Sequence, residues 1–253
     1  MRILMPLLLV LLCGILVNAE TVEELLTQGD AAYDALDNEA ALKSYKAALE
    51  ADAQNCDAAW KTSRSYADIG DEKEGKEERT EYFKKAEDYA RKAIDLCPSS
   101  DMAHLSLSIA IGRVALMEGK KKQVQLSQAV KDEAEKAIEL NPDNDIAHHV
   151  YARWHRKVAT LSGVAKAFAK VLYGGLPPAS LDKAIEHFQK AIAINPDNIN
   201  HHLELGITYE EMNEWAKANA EYDKVASLDA TKSMDPKYKA EAAERQKKIA
   251  KKL

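Results

Sequence analysis

Cysteine is scarce in this 253-residue chain, with three copies, at positions 13, 56 and 97. No two stand in Cys-x-x-Cys spacing, which excludes zinc-ribbon and thioredoxin-like sites. Proline and glycine are also few, at seven and ten copies, while Ala, Glu, Lys and Leu abound, a composition that reads as largely helical. Beyond residue 17 no apolar run approaches the ~20 residues that span a bilayer. There is no Gly-x-Ser-x-Gly, Walker loop, His-Glu-x-x-His or dinucleotide fingerprint. Gly174-Gly175 precedes prolines rather than a helix. The chain is therefore expected to have no catalytic residues, no cofactor and no enzymatic activity.

One absence is local. From Ile146 to Leu181 there is no Asp or Glu, although the chain carries 41 acids against 35 bases. Arg153, Arg156, Lys157, Lys166 and Lys170 are spaced through that stretch. The net charge of −6 disfavours a general nucleic-acid or anionic-lipid binder but leaves room for a local basic patch.

What is present is a period. KAIDLCPSS (92–100), KAIELNPDN (136–144) and KAIAINPDN (190–198) end alike, with proline at 98, 142 and 196. A fourth copy, KAALEADAQN (46–55), has Ala53 in the proline's place. Residues 22–55 place Gly29, Ala41, Tyr45 and Ala48 at repeat positions 8, 20, 24 and 27. From Ile199, Gly206, Tyr209, Ala218 and Tyr222 fall at 8, 11, 20 and 24. This pattern resembles the tetratricopeptide repeat (TPR), a 34-residue helix–turn–helix. Small residues let the paired helices approach, larger ones fill the gaps, and proline stops the second helix. Asp or Asn after the proline can cap the next helix. The resemblance implies an all-α, TPR-like helical-hairpin solenoid, each hairpin burying its face on its neighbour. Its expected repeats are 22–55, 56–100, 101–144, 145–198 and 199–232, within a unit spanning 20–234. Repeats two to four carry long insertions, and residues 235–253 form a capping helix with Asp235 and Pro236 as N-cap and first residue.

A narrower resemblance begins in repeat four. Trp154, Arg156, Lys170, Pro177-Pro178 and Ala179-Ser180, followed by a new helix, look like the regulator of microtubule dynamics family. That resemblance covers about residues 84–228, and the family's name implies microtubule association. The basic insertion reads as one helix from Ala147 to Tyr173. Its apolar residues Val158, Leu161, Val164, Phe168, Val171 and Leu172 either cover the solenoid's core or dock a partner or membrane surface (158–172).

The TPR resemblance also implies that positions 2, 5, 9, 12 and 13 of each first helix line a concave groove. Those positions include Trp60, Arg64, Arg113, His149, Arg153, Arg156 and Lys157, the candidate partner-binding residues. An acidic, extended protein segment is the expected partner; tubulin is one if the chain faces the cytosol, and nucleic acid is not expected. The alternative is internal pairing of these bases with acids such as Asp68, Glu210 or Glu211. Leu26 and Asp30 occupy the places where chaperone-tail binders carry Lys and Asn, so no chaperone tail is expected. His104, His148 and His202 all fall at position 4. Equivalent positions of stacked repeats lie ~10 Å apart, too far to share a metal, so these histidines are expected at repeat interfaces. Cys56 and Cys97, at repeat positions 1 and 31, either bridge in an oxidising compartment or remain two semi-buried thiols.

At the N-terminus, Arg2 precedes the apolar run Ile3–Val17 and the small-residue site Val17-Asn18-Ala19, a secretory signal pattern. Export by cleavage after residue 19 is expected, which would move the net charge from −6 to −7; the rival is retention of residues 3–17 as a membrane anchor. N-terminal sequencing of the mature chain from its natural host is expected to begin at Glu20; a retained Met1 supports the anchor.

Overall fold

The computed structural model describes residues 20–253, except for the side chains of Phe168, Leu172 and Tyr173. The apolar segment read as a signal or anchor lies outside the described residues. Among those described there are twelve helices and no strand. They are α1 (Val22–Asp34), α2 (Asn38–Ala51), α3 (Cys56–Glu72), α4 (Lys76–Leu96), α5 (Asp101–Met117) and α6 (Lys120–Leu140). Then follow α7 (Asp145–Ala159), α8 (Gly163–Tyr173), α9 (Leu181–Ile194), α10 (Ile199–Glu211), α11 (Trp215–Ser227) and α12 (Asp235–Ile249). The antiparallel pairs are α1/α2, α3/α4, α5/α6, α7/α9 and α10/α11, with α12 packed on the last pair. First helices α3, α5, α7 and α10 also touch one another in series, which makes one continuous wall.

Each pair closes through a small residue. A Cβ added to Gly29 would lie 2.3 Å from Tyr45 Cε1, and one on Gly206 2.5 Å from Tyr222 Cε1. Only glycine lets these rings lie flat against the helix backbone. In repeats two and three a serine takes the same position. Ser63 donates to the Ala86 carbonyl at 2.8 Å and Ser108 to the Val130 carbonyl at 2.7 Å, each across to the second helix. The turns are capped as the sequence implies: the side chains of Asn55, Ser100 and Asn144 accept from Ala58 N, Ala103 N and Ala147 N.

The histidines at position 4 tie consecutive repeats. The Nε2 atoms of His104, His148 and His202 face the carbonyls of Pro98, Pro142 and Pro196 at 3.0, 2.8 and 3.0 Å. Their Nδ1 atoms meet Glu133, His187 and Glu221 on the second helix of the same repeat. A carbonyl left without a helical partner is thus satisfied by the following repeat.

The insertions of repeats two and three lengthen both helices of each pair, giving α4 and α6 21 residues each. Two features differ from expectation. The basic insertion is two helices rather than one. The Thr160 hydroxyl bonds back to the Arg156 carbonyl at 2.9 Å, and the Ser162 hydroxyl caps α8 by accepting from Ala165 N at 3.2 Å. Thr-Leu-Ser-Gly is thus a stop followed by a new start. Finally, Asp235 lies inside α12, and its buried carboxylate accepts from the amides of Thr231 and Lys232 at 2.9 and 2.8 Å. It caps the turn before the helix instead of the helix itself.

Cys56 and Cys97 form a disulfide, with their Cα atoms 6.1 Å apart, joining the start of α3 to the end of α4. The bridge sits where Ala53 replaces the proline and Ala59 takes position 4, so this repeat lacks the histidine tie. Closing a loop of 41 residues removes unfolded-state entropy worth on the order of 3–4 kcal/mol. Reduction with dithiothreitol is expected to lower the unfolding free energy by about that amount, read as a shift in urea midpoint. A Cys56→Ser/Cys97→Ser variant should be unaffected by reductant.

Candidate interaction groove

The basic residues converge on the wall of first helices. His149 lies in the joint field of Arg113, Arg153 and Arg156, which come from α5 and α7. The strip begins on α3, where the Arg64 guanidinium stacks 3.6 Å from the Tyr33 ring centre and donates to Tyr45 Oη at 3.2 Å. Asp68, beside Arg64 and Arg113, has its carboxyl pushed up to about 6, chiefly by burial. Arg113 donates through Nε to Asp71 at 2.8 Å. Further along, Glu204 of α10 takes both guanidiniums of α7, Arg153 at 3.0 Å through Nε and Arg156 beside it. Burial raises the Glu204 carboxyl, but Arg153, Arg156 and Lys157 outweigh it and hold the group ionised below the usual range.

The alternative of internal pairing is therefore realised for Arg113, Arg153 and Arg156, but with other acids. Glu210 pairs with Arg245 and accepts from Tyr222, while Asp71 and Glu204 do the groove pairing. Arg156 is 3% exposed and Trp60 9%, and the Trp60 indole donates to Asp57 at 2.9 Å. His149, at 4%, is equally enclosed. These three positions support the groove from within. Arg64, Arg113, Arg153 and exposed Lys157 present its charge. Lys157 has no ion pair among the described residues, and its amine is pulled down by burial and by Arg156 and Arg153, against weaker support from Glu204 and Glu211.

Glu204 was not singled out in the sequence. Its signal is slight: a lone acid between Leu203 and Leu205, in a run too apolar to face water. Tyr238 of α12 was missed as well. Its phenol enters the fields of Arg113, Asp71, Arg153 and Glu204, although it follows Glu204 by 34 residues.

The histidines beside the strip form a satisfied neutral chain. His201 Nε2 donates to Asp145 at 3.0 Å, leaving its Nδ1 to accept from His149 Nδ1 at 2.9 Å. Asn200 then donates to His149 Nε2 at 3.4 Å. This assignment follows from the partners. Among the described residues no group of three or more His, Cys, Asp or Glu is placed to hold a metal.

In the insertion, Val158 is buried against the body, whereas Val164 and Val171 of α8 are 82% and 83% exposed. Leu161 is half-buried, and the side chains of Phe168 and Leu172 lie outside the described residues. Among the described residues no helix is long and apolar enough to cross a membrane.

Hairpins stacked in this way define a TPR solenoid. A thermophilic TPR protein of Thermus thermophilus superposes with a TM-score of 0.64 at 18% identity, covering 88% of this chain and 98% of that one. The family model described as regulator of microtubule dynamics protein 1-3 matches residues 25–250, and the chain belongs to that family. Regulator of microtubule dynamics protein 1 of Mus musculus is 30% identical over 226 residues, 88% of this chain and 73% of the relative. The protein of the same description from Caenorhabditis elegans is 27% identical over 200 residues, 79% and 88% of the two chains.

The buried imidazoles give the fold an acid limit. Burial lowers His149, His201 and His187, the last to about 4 from an ordinary 6.5. The unfolded chain takes up these protons first, so stability is full above pH 6.5 and falls as pH drops toward 4. Asp68, raised to about 6 from 3.8, acts in the opposite sense and offsets part of the loss. Each imidazole held neutral contributes a slope of about 1.4 kcal/mol per pH unit. Chemical denaturation between pH 7 and 4.5 is expected to show falling stability, with a shallower slope in His187→Gln.

Proposed function

We propose that the protein is a non-catalytic scaffold whose groove holds an extended acidic segment of a partner protein. The observation that carries this reading is an imbalance of charge along one wall. Arg64, Arg113, Arg153, Arg156 and Lys157 face Asp68, Asp71 and Glu204, and the last cation in the series has no ion pair among the described residues. Two further donors, Arg64 Nε and Arg156 Nε, are buried without a protein acceptor. A carboxylate entering beside Lys157 would restore its depressed ammonium and gain charge-assisted hydrogen bonds. The surrounding acidic surface would repel the same segment elsewhere and so favour one docking register.

Family membership supports a second, compatible reading, in which the acidic partner is a microtubule surface. That reading needs a cytosolic chain, whereas the N-terminal sequence pattern supports export. The exposed valines of α8 support a further contact, with a partner's apolar surface or a membrane.

The test uses Arg153→Glu/Lys157→Glu in the full chain. Arg156 is left intact because reversing it would strand buried Glu204 without a counter-charge. Binding of a fluorescent poly-glutamate peptide at low salt should weaken at least about tenfold in the variant, and wild-type affinity should fall as salt rises. Equal affinities for wild type and variant would sink the proposal. Co-sedimentation with polymerised tubulin, repeated with the same variant, decides the microtubule reading.

A further inference from the structure

The side of α7 turned away from the groove bounds a second concavity, a cleft of about 300 Å³ lined by Tyr151, His155, Pro178, Ala179, Ser180, Lys183 and His187. It exists because the acid-free insertion folds back: after α8 the chain turns at Gly174-Gly175, both at positive φ, and lays Pro177–Ser180 against α7. A plain 34-residue repeat has no such wall.

The polar groups of the cleft are arranged for an acceptor. The Ser180 amide donates to His155 Nδ1 at 3.4 Å, so the ring carries its proton on Nε2. His155 is 5% exposed, and its Nε2 is buried with no partner in the protein. A buried donor without an acceptor is costly. Beside it begins α9, a 14-residue helix with Ser180 as N-cap, whose first-turn amides and dipole favour negative charge. Lys183, three residues into the same end, gives one ammonium hydrogen to Glu186 at 2.8 Å and keeps two for another acceptor. The local acids are engaged: Glu186 is shared with Lys190 at 2.9 Å, and Glu135 accepts from Tyr151 at 2.6 Å. Asp182 is exposed on the same turn. His187 donates through Nδ1 to His148, whose own Nε2 is committed to Pro142, so its Nε2 is a lone pair that could receive a hydroxyl proton.

We infer that this cleft is a binding site for a small oxyanion, a phosphate or carboxylate group, held by Lys183, the start of α9 and the His155 N–H. The site is separate from the groove, so either can fail without the other.

Imidazole nitrogen resonances followed by NMR in the full chain provide the test, with inorganic phosphate and acetate as separate probes. At pH 7 one or both probes should shift the His155 Nε2 resonance with saturation on the order of millimolar. Response to only one identifies the preferred anion. Lys183→Ala should weaken saturation roughly fivefold or more, whereas Lys190→Ala, on the same helix but outside the cleft, should not; in His155→Ala, which lacks the reporting ring, the same weakening is read on the Nε2 resonance of His187, which also lines the cleft. Lys183 is exposed, so its variant remains informative if His155→Ala fails to fold. Two results overturn the inference: no shift with either anion, or a shift indifferent to Lys183→Ala.

Discussion

The carbonyl of a proline that ends one repeat is met by a histidine near the start of the next. This contact recurs three times, and much of the molecule depends on it. Proline stops the second helix because it has no N–H to donate, but its own carbonyl is then left at a buried helix end. His104, His148 and His202 satisfy that carbonyl and reach across to the second helix of their own repeat. A side chain tied at both ends fixes how far one hairpin is rotated against the last. With that rotation repeated, the same face of every first helix points into one groove. Where proline and histidine are both missing, between repeats one and two, the Cys56–Cys97 bridge holds the second hairpin shut instead.

The groove that results is a lattice of partly compensated charges. Its arginines are long enough to find acids on neighbouring helices, and burial makes that pairing obligatory for Arg156 and Glu204. Pairing does not abolish the positive field, because the cations outnumber the carboxylates and Lys157 lies at the solvent edge. It places guanidiniums in a fixed row, which would lower the entropy lost on holding the proposed partner. Removing Glu204 would therefore disorder the row as well as make it more positive.

The acid-free stretch serves two faces of one helix. On one side of α7, Arg153, Arg156 and Lys157 belong to the groove. On the other, His155 and Tyr151 meet the loop that returns from α8 at the start of α9. An Asp or Glu among these residues would cancel the groove's field or compete with the helix dipole for the same space. For the α7 and loop residues that line these two surfaces, the absence of acids fits two adjoining surfaces of like sign.

Much of the architecture is local in origin and so can be read along the chain. Proline spacing, the small residue at position 8, the caps after each turn and the aromatic at position 24 are set by contacts within a hairpin or between successive turns. They identify the repeat class and the helical content, but not which first-helix positions stay open: Trp60, His149 and Arg156 are enclosed. The break at Thr160–Ser162 was equally local, a hydroxyl stop followed by a hydroxyl cap, but it was masked by the apolar periodicity that continues through it. Other features were settled only by folding. That Arg156 chooses Glu204, 48 residues away, rather than Asp68, Glu210 or Glu211 depends on the stacking angle between repeats. So do the approach of Tyr238 to Arg113 and the orphaned Nε2 of His155. Cys56 and Cys97 were open to pairing or to remaining free, and the antiparallel α3/α4 packing brings them together. The sequence by itself determined the repeated unit, because that unit is held by near-neighbour packing. Only the tertiary structure decided which charges meet, because a few degrees of rotation per repeat, summed along the stack, select the partners.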